Sequence, residues 1–354
     1  MLKIDRYIVV NFLMGLLPVM LLLLALFSFM TLAEELEDVG QGDFRLVDAL
    51  MVVLLTTPKR FVELLPVTAL LGGLMGLGTM ANHLELMAIR TSGFSRARIS
   101  LTIAVLALLM AVVVTVMQFT VVPMSEREAV QLRARSLPNS EASKGAFWTR
   151  NGNNIIRVKN VLFDRTLNGI EIYTTDAQGR LSQLTQATSA NYAGQDNWLL
   201  NDVLQSETHG NQVLETTFES KLWQGLLTAE QAAVLVLPLE ALAPTDLLHT
   251  IASLKQNHLD TQRYEIVFWQ QVSLLPGLLA LALLSLPFLL GSVREISAGQ
   301  RIMIGGLIGI GFYLVQQLSG HLAGIFGLNP ALVILTPSFI LLAIAIGMIR
   351  HRQV

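Results

Sequence analysis

The chain has 354 residues, of which 53% are hydrophobic and only 14% charged, and its net charge is -2. Soluble domains carry about 25% charged residues, so this composition excludes a disordered chain and a typical cytosolic enzyme and points to an integral membrane protein. The charge balance excludes a nucleic-acid binder driven by bulk positive charge. The absence of cysteine leaves no disulfide, thiolate zinc site or iron–sulfur cluster.

Charge-free apolar runs near the ~20 residues that cross a bilayer define the predicted spans. In chain order they are Ile8–Ala33, Leu64–Ala81, Ile99–Val122 and Ile266–Val293, followed by a run from Ile302 to Ile349. The turn signal Gly327-Leu328-Asn329-Pro330 divides that last run into Ile302–Gly320 and Ala331–Ile349. The first run is far longer than the apolar core of a signal peptide and is expected to remain as a span. Pro18 inside it is a tolerated kink. Six spans therefore flank a polar middle, three on each side. Lys3, Arg6, Arg90, Arg96, Arg98, Arg294, Arg301, Arg350 and Arg352 fall at one set of span ends, and Arg45, Lys59 and Arg60 at the other. The positive-inside rule then places both termini in the cytoplasm and the middle outside, in the periplasm of a double-membrane bacterium. The organisation is residues 1–122, with spans one to three and a cytoplasmic helix at about 83–94; residues 123–265, an extracytoplasmic domain; and residues 266–354, with spans four to six.

The loop between spans two and three puts Leu84, Met87 and Ala88 on one helical face, with Glu85 at its start and Gly93 as a stop after Ser92. It reads either as a docking peg for a partner or as a basic interfacial loop set by topology. Two glycine strings, Gly72–Gly78 and Gly305–Gly311, carry small-xxx-small spacing and read as subunit contact or as a shared packing solution. In the middle, period-2 patterns predict seven short strands: Ala146–Arg150, Asn154–Val161, Gly169–Thr175, Arg180–Thr185, Thr188–Ala193, Asn197–Val203 and Gln212–Trp223. Such spacing suits a sandwich or jelly roll. Helical stretches at 124–137 and 240–263 join it to the membrane. No hydrolase, P-loop or metal-ligand motif occurs in it, and the scattered His209, His249 and His258 read as surface or satisfied residues. A binding or docking module is expected rather than an enzyme.

Taken together, Asp5-Arg6-Tyr7, Gly40-Gln41-Gly42, Pro58-Lys59, Leu70-Leu71-Gly72, Gly76-Leu77-Gly78, Glu85 with Met87-Ala88 and Ser92-Gly93, Gly152-Asn153-Asn154, Gly169-Ile170-Glu171-Ile172-Tyr173 and Arg263-Tyr264 resemble the lipopolysaccharide-export permease family LptF/LptG, and its LptG branch more than its LptF branch. The resemblance spans nearly the whole chain. It implies an α-helical membrane protein of six transmembrane helices with an inserted all-β, jelly-roll-like periplasmic domain. It also implies a multi-pass permease of the bacterial inner membrane that extracts lipopolysaccharide and has no catalytic activity of its own. The implied partners are an LptF-like permease, an LptB-like ATPase dimer that binds the ATP and Mg²⁺, and LptC- and LptA-like periplasmic proteins. No cofactor or metal is expected in this chain.

The resemblance marks Glu85, Leu84, Met87, Ala88, Ser92 and Gly93 as ATPase-coupling residues. Lys59, Arg60, Arg133 and Arg135 are candidates for cargo phosphates, Arg133 and Lys59 matching the family pattern, with headgroup snorkelling as the other reading. Tyr313, Gln316 and Gln317 are candidates for a gate or cavity lining, with interhelical hydrogen bonding as the other reading. Family members often carry lysines near the outer end of the first helix, where this chain has Thr31, Glu37 and Asp38 next to Glu34 and Glu35. That acidic cluster suits a bridging divalent cation or basic residues on the partner permease. Other expectations left open are a different ABC-type lipid or lipoprotein extraction permease and a secondary transporter, although the latter normally needs buried ionisable groups in its spans.

Overall fold

The computed structural model describes residues 3–351 except 138–140, 163–165, 177–179, 195–196, 210–211, 225–238, 240–241, 257–259 and 291–297. Arg294, Arg352, His258 and parts of the helical stretch expected at 240–263 lie outside the described residues, as does the side chain of His209. The elements are α1 (Lys3–Leu36), α2 (Leu46–Asn82), α3 (Glu85–Thr91), α4 (Arg96–Phe119), α5 (Val121–Ser136), β1 (Glu141–Asn151), β2 (Asn154–Leu162), β3 (Leu167–Thr175), β4 (Leu181–Gly194), β5 (Asn197–His209), β6 (Gln212–Gln224), α6 (Pro244–Gln256), α7 (Gln262–Leu290), α8 (Ala298–Phe326) and α9 (Pro330–His351). By length and apolar composition α1, α2, α4 with α5, α7, α8 and α9 are six candidate membrane spans.

Most of these helices outrun the charge-free windows. Helix α2 starts at Arg45, whose backbone N–H donates to Asp48 at 2.9 Å, and it carries Lys59, Arg60 and Glu63 within its length. Lys59 therefore sits about 20 Å along the helix rather than at its beginning. Helix α4 begins at Ser95, whose hydroxyl accepts from the Arg98 N–H at 3.2 Å. It breaks at Thr120 because Pro123 has no N–H to offer the Phe119 carbonyl, and α5 continues from there.

Helices α2 and α7 form the centre of the bundle, while α1, α8 and α9 turn much of their apolar surface outward. Gly15, Gly72 and Gly76 let α1 and α2 touch backbone to backbone. A Cβ on Gly15 would overlap the Gly72 carbonyl oxygen, and one on Gly76 would overlap that of Asn11. The first glycine string is thus a contact within this chain. The second places Gly305 against Leu74 and Gly309 against Val67, both on α2.

The β domain is one antiparallel sheet in the order β1-β2-β3-β4-β5-β6. The two strands expected at 180–185 and 188–193 are a single strand, β4, so among the described residues six strands stand where seven were predicted. The pattern broke for a physical reason. Inward residues alternate in each strand but jump by three at one level: Val158 to Val161, Leu167 to Ile170, Ala187 to Ala190 and Leu200 to Val203, all buried. An odd step would put side chains on opposite faces of a flat strand. Here the sheet is creased across β2–β5, with Gly169 at φ +63° and Asp202 at φ 52° on the crease. Every strand takes the extra residue at the same level, so pairing register is kept, with Val158 opposite Ile170, Ile170 opposite Ala187 and Ala187 opposite Val203. The curled face encloses Trp198, Leu200, Ile172 and Val130 of α5. This curved all-β sheet is compatible with a jelly-roll-like domain.

The domain packs on α5 through Val130, and α5 is joined to α6 by Arg127 and Asp246 at 2.8 Å. The α1–α2 hairpin is sewn to the last turn of α5. The Asp43 N–H donates to the Ser136 carbonyl at 3.1 Å, and Phe44, Ala49, Val52, Ala129 and Leu137 form a small buried cluster there.

Candidate functional site

The short helix α3 lies at the end of the bundle where α1 begins and α2 ends. Leu86 is buried, and Ile89 packs against the same core. This seating turns Leu84 and Met87 outward, 60% and 61% exposed, with Ala88 also exposed. Leu84 enters the helix at φ 61°, a conformation that costs a bulky L-residue roughly 1–2 kcal/mol. Ser92 and Gly93 close it. The Ser92 hydroxyl donates to the Ile89 carbonyl at 2.8 Å. Gly93, at φ +96°, donates its N–H to Arg90 at 3.1 Å, a glycine-terminated helix stop. The six sequence candidates thus divide into outward-facing Leu84, Met87 and Ala88, the helix-closing Ser92 and Gly93, and the acid Glu85.

Glu85 is not free. The Tyr7 hydroxyl of α1 donates to its Oε2 at 2.9 Å. Two residues earlier, buried Asp5 receives Arg98 at 3.4 Å and the Thr102 hydroxyl at 3.1 Å, both on α4. Arg98 also lies over the Phe94 ring at 4.8 Å. Nearby Arg301 of α8, 5% exposed, donates to Asn82 at 2.6 Å, and its Nε has no acceptor among the described residues. Sequence reading missed Asp5 as a partner of α4, along with Arg98, Thr102 and Arg301. Asp5-Arg6-Tyr7 was visible as a motif, but its partners lie 78 to 97 positions away.

At the opposite end, the four cationic candidates separate. Arg133 forks onto Glu35, with its Nε 3.3 Å from Oε2 and its Nη2 on Oε1. Glu35 is 6% exposed. One member of the acidic cluster thus has its basic partner inside this chain, and Arg133 reaches a phosphate only by leaving it. Arg60 pairs with Glu63 at 3.1 Å. Lys59 is half-buried, within electrostatic reach of buried Glu126, and Arg135 is exposed. Among the described residues neither has a carboxylate within ion-pair distance. No group of three His, Asp or Glu among the described residues is placed to hold a metal ion.

On α8, Tyr313 and Gln317 share an exposed face, one turn apart. Gln316 points the other way. Its amide donates to Ser273 of α7, and its Oε1 is buried without a donor among the described residues. An unpaired amide at membrane depth is expensive, and α7 supplies the nearest polar group. Gln316 therefore belongs to the interhelical contact rather than to the outward lining.

On the β domain's other face, Arg157 bridges Trp148 and Glu171, lying 5.6 Å over the indole and 3.1 Å from the carboxylate. The Tyr173 hydroxyl donates to Glu171 at 2.7 Å. That bond, followed by Arg157, holds the Glu171 carboxyl below the usual range, while Glu171 raises the Tyr173 phenol.

Six candidate spans, an inserted antiparallel domain and a short helix with exposed apolar residues at one end of the bundle define a multi-pass membrane protein. The family described as lipopolysaccharide export system permease LptF/LptG matches residues 6–351, and the chain belongs to that family. It is a permease subunit of lipopolysaccharide export, a multi-pass protein of the inner membrane. It is 29% identical over 352 residues to the lipopolysaccharide export system permease protein LptG of Haemophilus influenzae. Against the protein of the same name from Escherichia coli K12 it is 27% identical over 353 residues. In both cases 99% of this chain and 98% of the relative are covered.

Proposed function

We propose that this chain is one of two six-span subunits through which a cytoplasmic ATPase dimer lifts lipopolysaccharide out of the inner membrane. Both termini and α3 lie in the cytoplasm, and the β domain lies in the periplasm. The second subunit is an LptF-like permease set against the outward apolar faces of α1 and α8. The nucleotide and its Mg²⁺ belong to an LptB-like ATPase. The β domain passes cargo to LptC- and LptA-like proteins. Lys59 and Arg135 meet cargo phosphates first, Lys as a point charge and Arg as a fork. Arg60 and Arg133 join by exchanging Glu63 and Glu35 for phosphate. Tyr313 and Gln317 line the gate.

The observation that carries this reading is the geometry of α3. Its buried side is fixed by Leu86 and Ile89, and its other side offers Leu84, Met87 and Ala88 beside an acid. That is the form of an apolar peg with one charge for register, able to convert movement of a docked motor into movement of the bundle. The test is Glu85→Arg in the reconstituted complex, with ATP hydrolysis and lipid release followed in parallel. Lipid released per ATP should fall by at least tenfold. Export at the normal ratio removes the peg. Flux driven by an ion gradient, from a homo-oligomer with no ATPase bound, would make the chain a secondary transporter instead.

A further inference from the structure

We infer that the first turn of α1 is a two-point clasp that carries the motion of α3 into α1, with Tyr7 and Asp5 as positioning residues. The inference rests on the reading of α3 as the ATPase-coupling helix.

Three observations support it. Tyr7 holds the acid at the start of α3 across the gap between α1 and α3. Asp5, 8% exposed, holds Arg98 and Thr102, which lie just past the end of the α3 loop. The loop is thus gripped on both sides by residues two apart on one helix. Further along, α1 and α2 are in backbone contact through Gly15, Gly72 and Gly76, so the first two helices form one stiff unit and α1 cannot shear past α2 cheaply. A push on α3 meets α1 at its first turn and travels along it. Helix α1 also turns much of its surface outward, so its displacement reshapes the membrane-facing side of the subunit.

The chemistry fits a clasp that hands over its load. A hydrogen bond to a carboxylate is among the stronger neutral-donor contacts, yet Tyr7 is 46% exposed. A cation on the docked ATPase can therefore reach Glu85 while the phenol remains beside it. Asp5 is the buried, charge-paired point, and it keeps α4 in register whether or not the motor is bound.

The test uses the assembled complex in proteoliposomes, with Tyr7→Phe, Asp5→Asn and the double variant. Retention of the ATPase on purification and ATP turnover are measured beside lipid release. Tyr7→Phe keeps the ring and loses only the hydroxyl. It should leave the ATPase bound and turning over while lipid released per ATP falls about tenfold, the scale of one hydrogen bond to a charged group. The double variant should fall further. The chain has no cysteine, so Leu26→Cys on the exposed side of α1 can carry a single fluorophore. Trapping the ATPase in its closed state should shift that signal in the parent and not in Tyr7→Phe, a readout that a merely stabilising residue would leave unchanged. Normal coupling and a normal signal shift in Tyr7→Phe overturn the clasp, even if Asp5→Asn fails to fold. A parent complex that hydrolyses ATP and releases no lipid overturns the coupling reading beneath it, and the clasp falls with that reading.

Discussion

Arg133 shows how a single side chain can be noticed in the sequence while its partner goes unread. Its position and charge mark it as a phosphate ligand, but the guanidinium already forks onto Glu35 in a largely buried setting. Removing one member of a buried pair leaves an uncompensated charge, which typically costs 3–5 kcal/mol. Because Arg133 retains some solvent contact, Glu35→Ala is expected to destabilise the chain by about 3 kcal/mol. Arg133→Ala in the same background should recover part of the loss, as followed by thermal unfolding of the purified complex. The acid and the arginine were both legible as unusual residues. Their pairing was not, because the two lie 98 positions apart and only the packing of α5 against the α1–α2 hairpin brings them together. Glu85 has the same history. Its place at the head of a short helix could be read locally, and its contact with Tyr7 could not.

At the scale of elements, the six spans were legible because a bilayer imposes length and charge exclusion on any helix that crosses it. Their ends were less so. Helix α2 continues well outside its charge-free window because its outer half rests on α5 and pairs Arg60 with Glu63. The β domain was legible as a class, and its strand count was obscured by the shared crease, which imitates a turn in β4. Glu171, on the outward side of β3, gives this sheet an acid-sensitive contact. Its folded value lies below the ordinary carboxylate range, so its contribution to stability is complete above that range and disappears as pH falls through the folded value. Tyr173 has the opposite sign. Its raised phenol contributes below the ordinary phenol value and loses that contribution at alkaline pH. Denaturant unfolding of the full chain, followed by tryptophan fluorescence from neutral pH to about pH 3, should show stability declining on the acid side. Glu171→Gln should flatten that decline, and an unchanged slope would assign it to other carboxylates.

For the whole molecule, the distribution of basic residues at the span ends sets the orientation, and it can be measured directly in a chain with no cysteine. Single cysteines at His83, beside α3, and at Tyr192, exposed on β4, should behave oppositely in spheroplasts. A membrane-impermeant maleimide is expected to label position 192 and to spare position 83 until the membrane is opened. The reverse pattern would put α3 out of reach of any cytoplasmic motor.

The seam at Ser136 then governs what the β domain experiences. Because the α1–α2 hairpin is stitched to the foot of α5, and α5 is a rod about 24 Å long whose Val130 enters the core of the sheet, the membrane bundle and the sheet are not loosely tethered neighbours. On the proposed function, a rocking of α1 would swing the creased sheet like the blade of an oar whose handle lies in the bilayer. The stroke that frees the cargo would, in the same instant, present the surface that receives it.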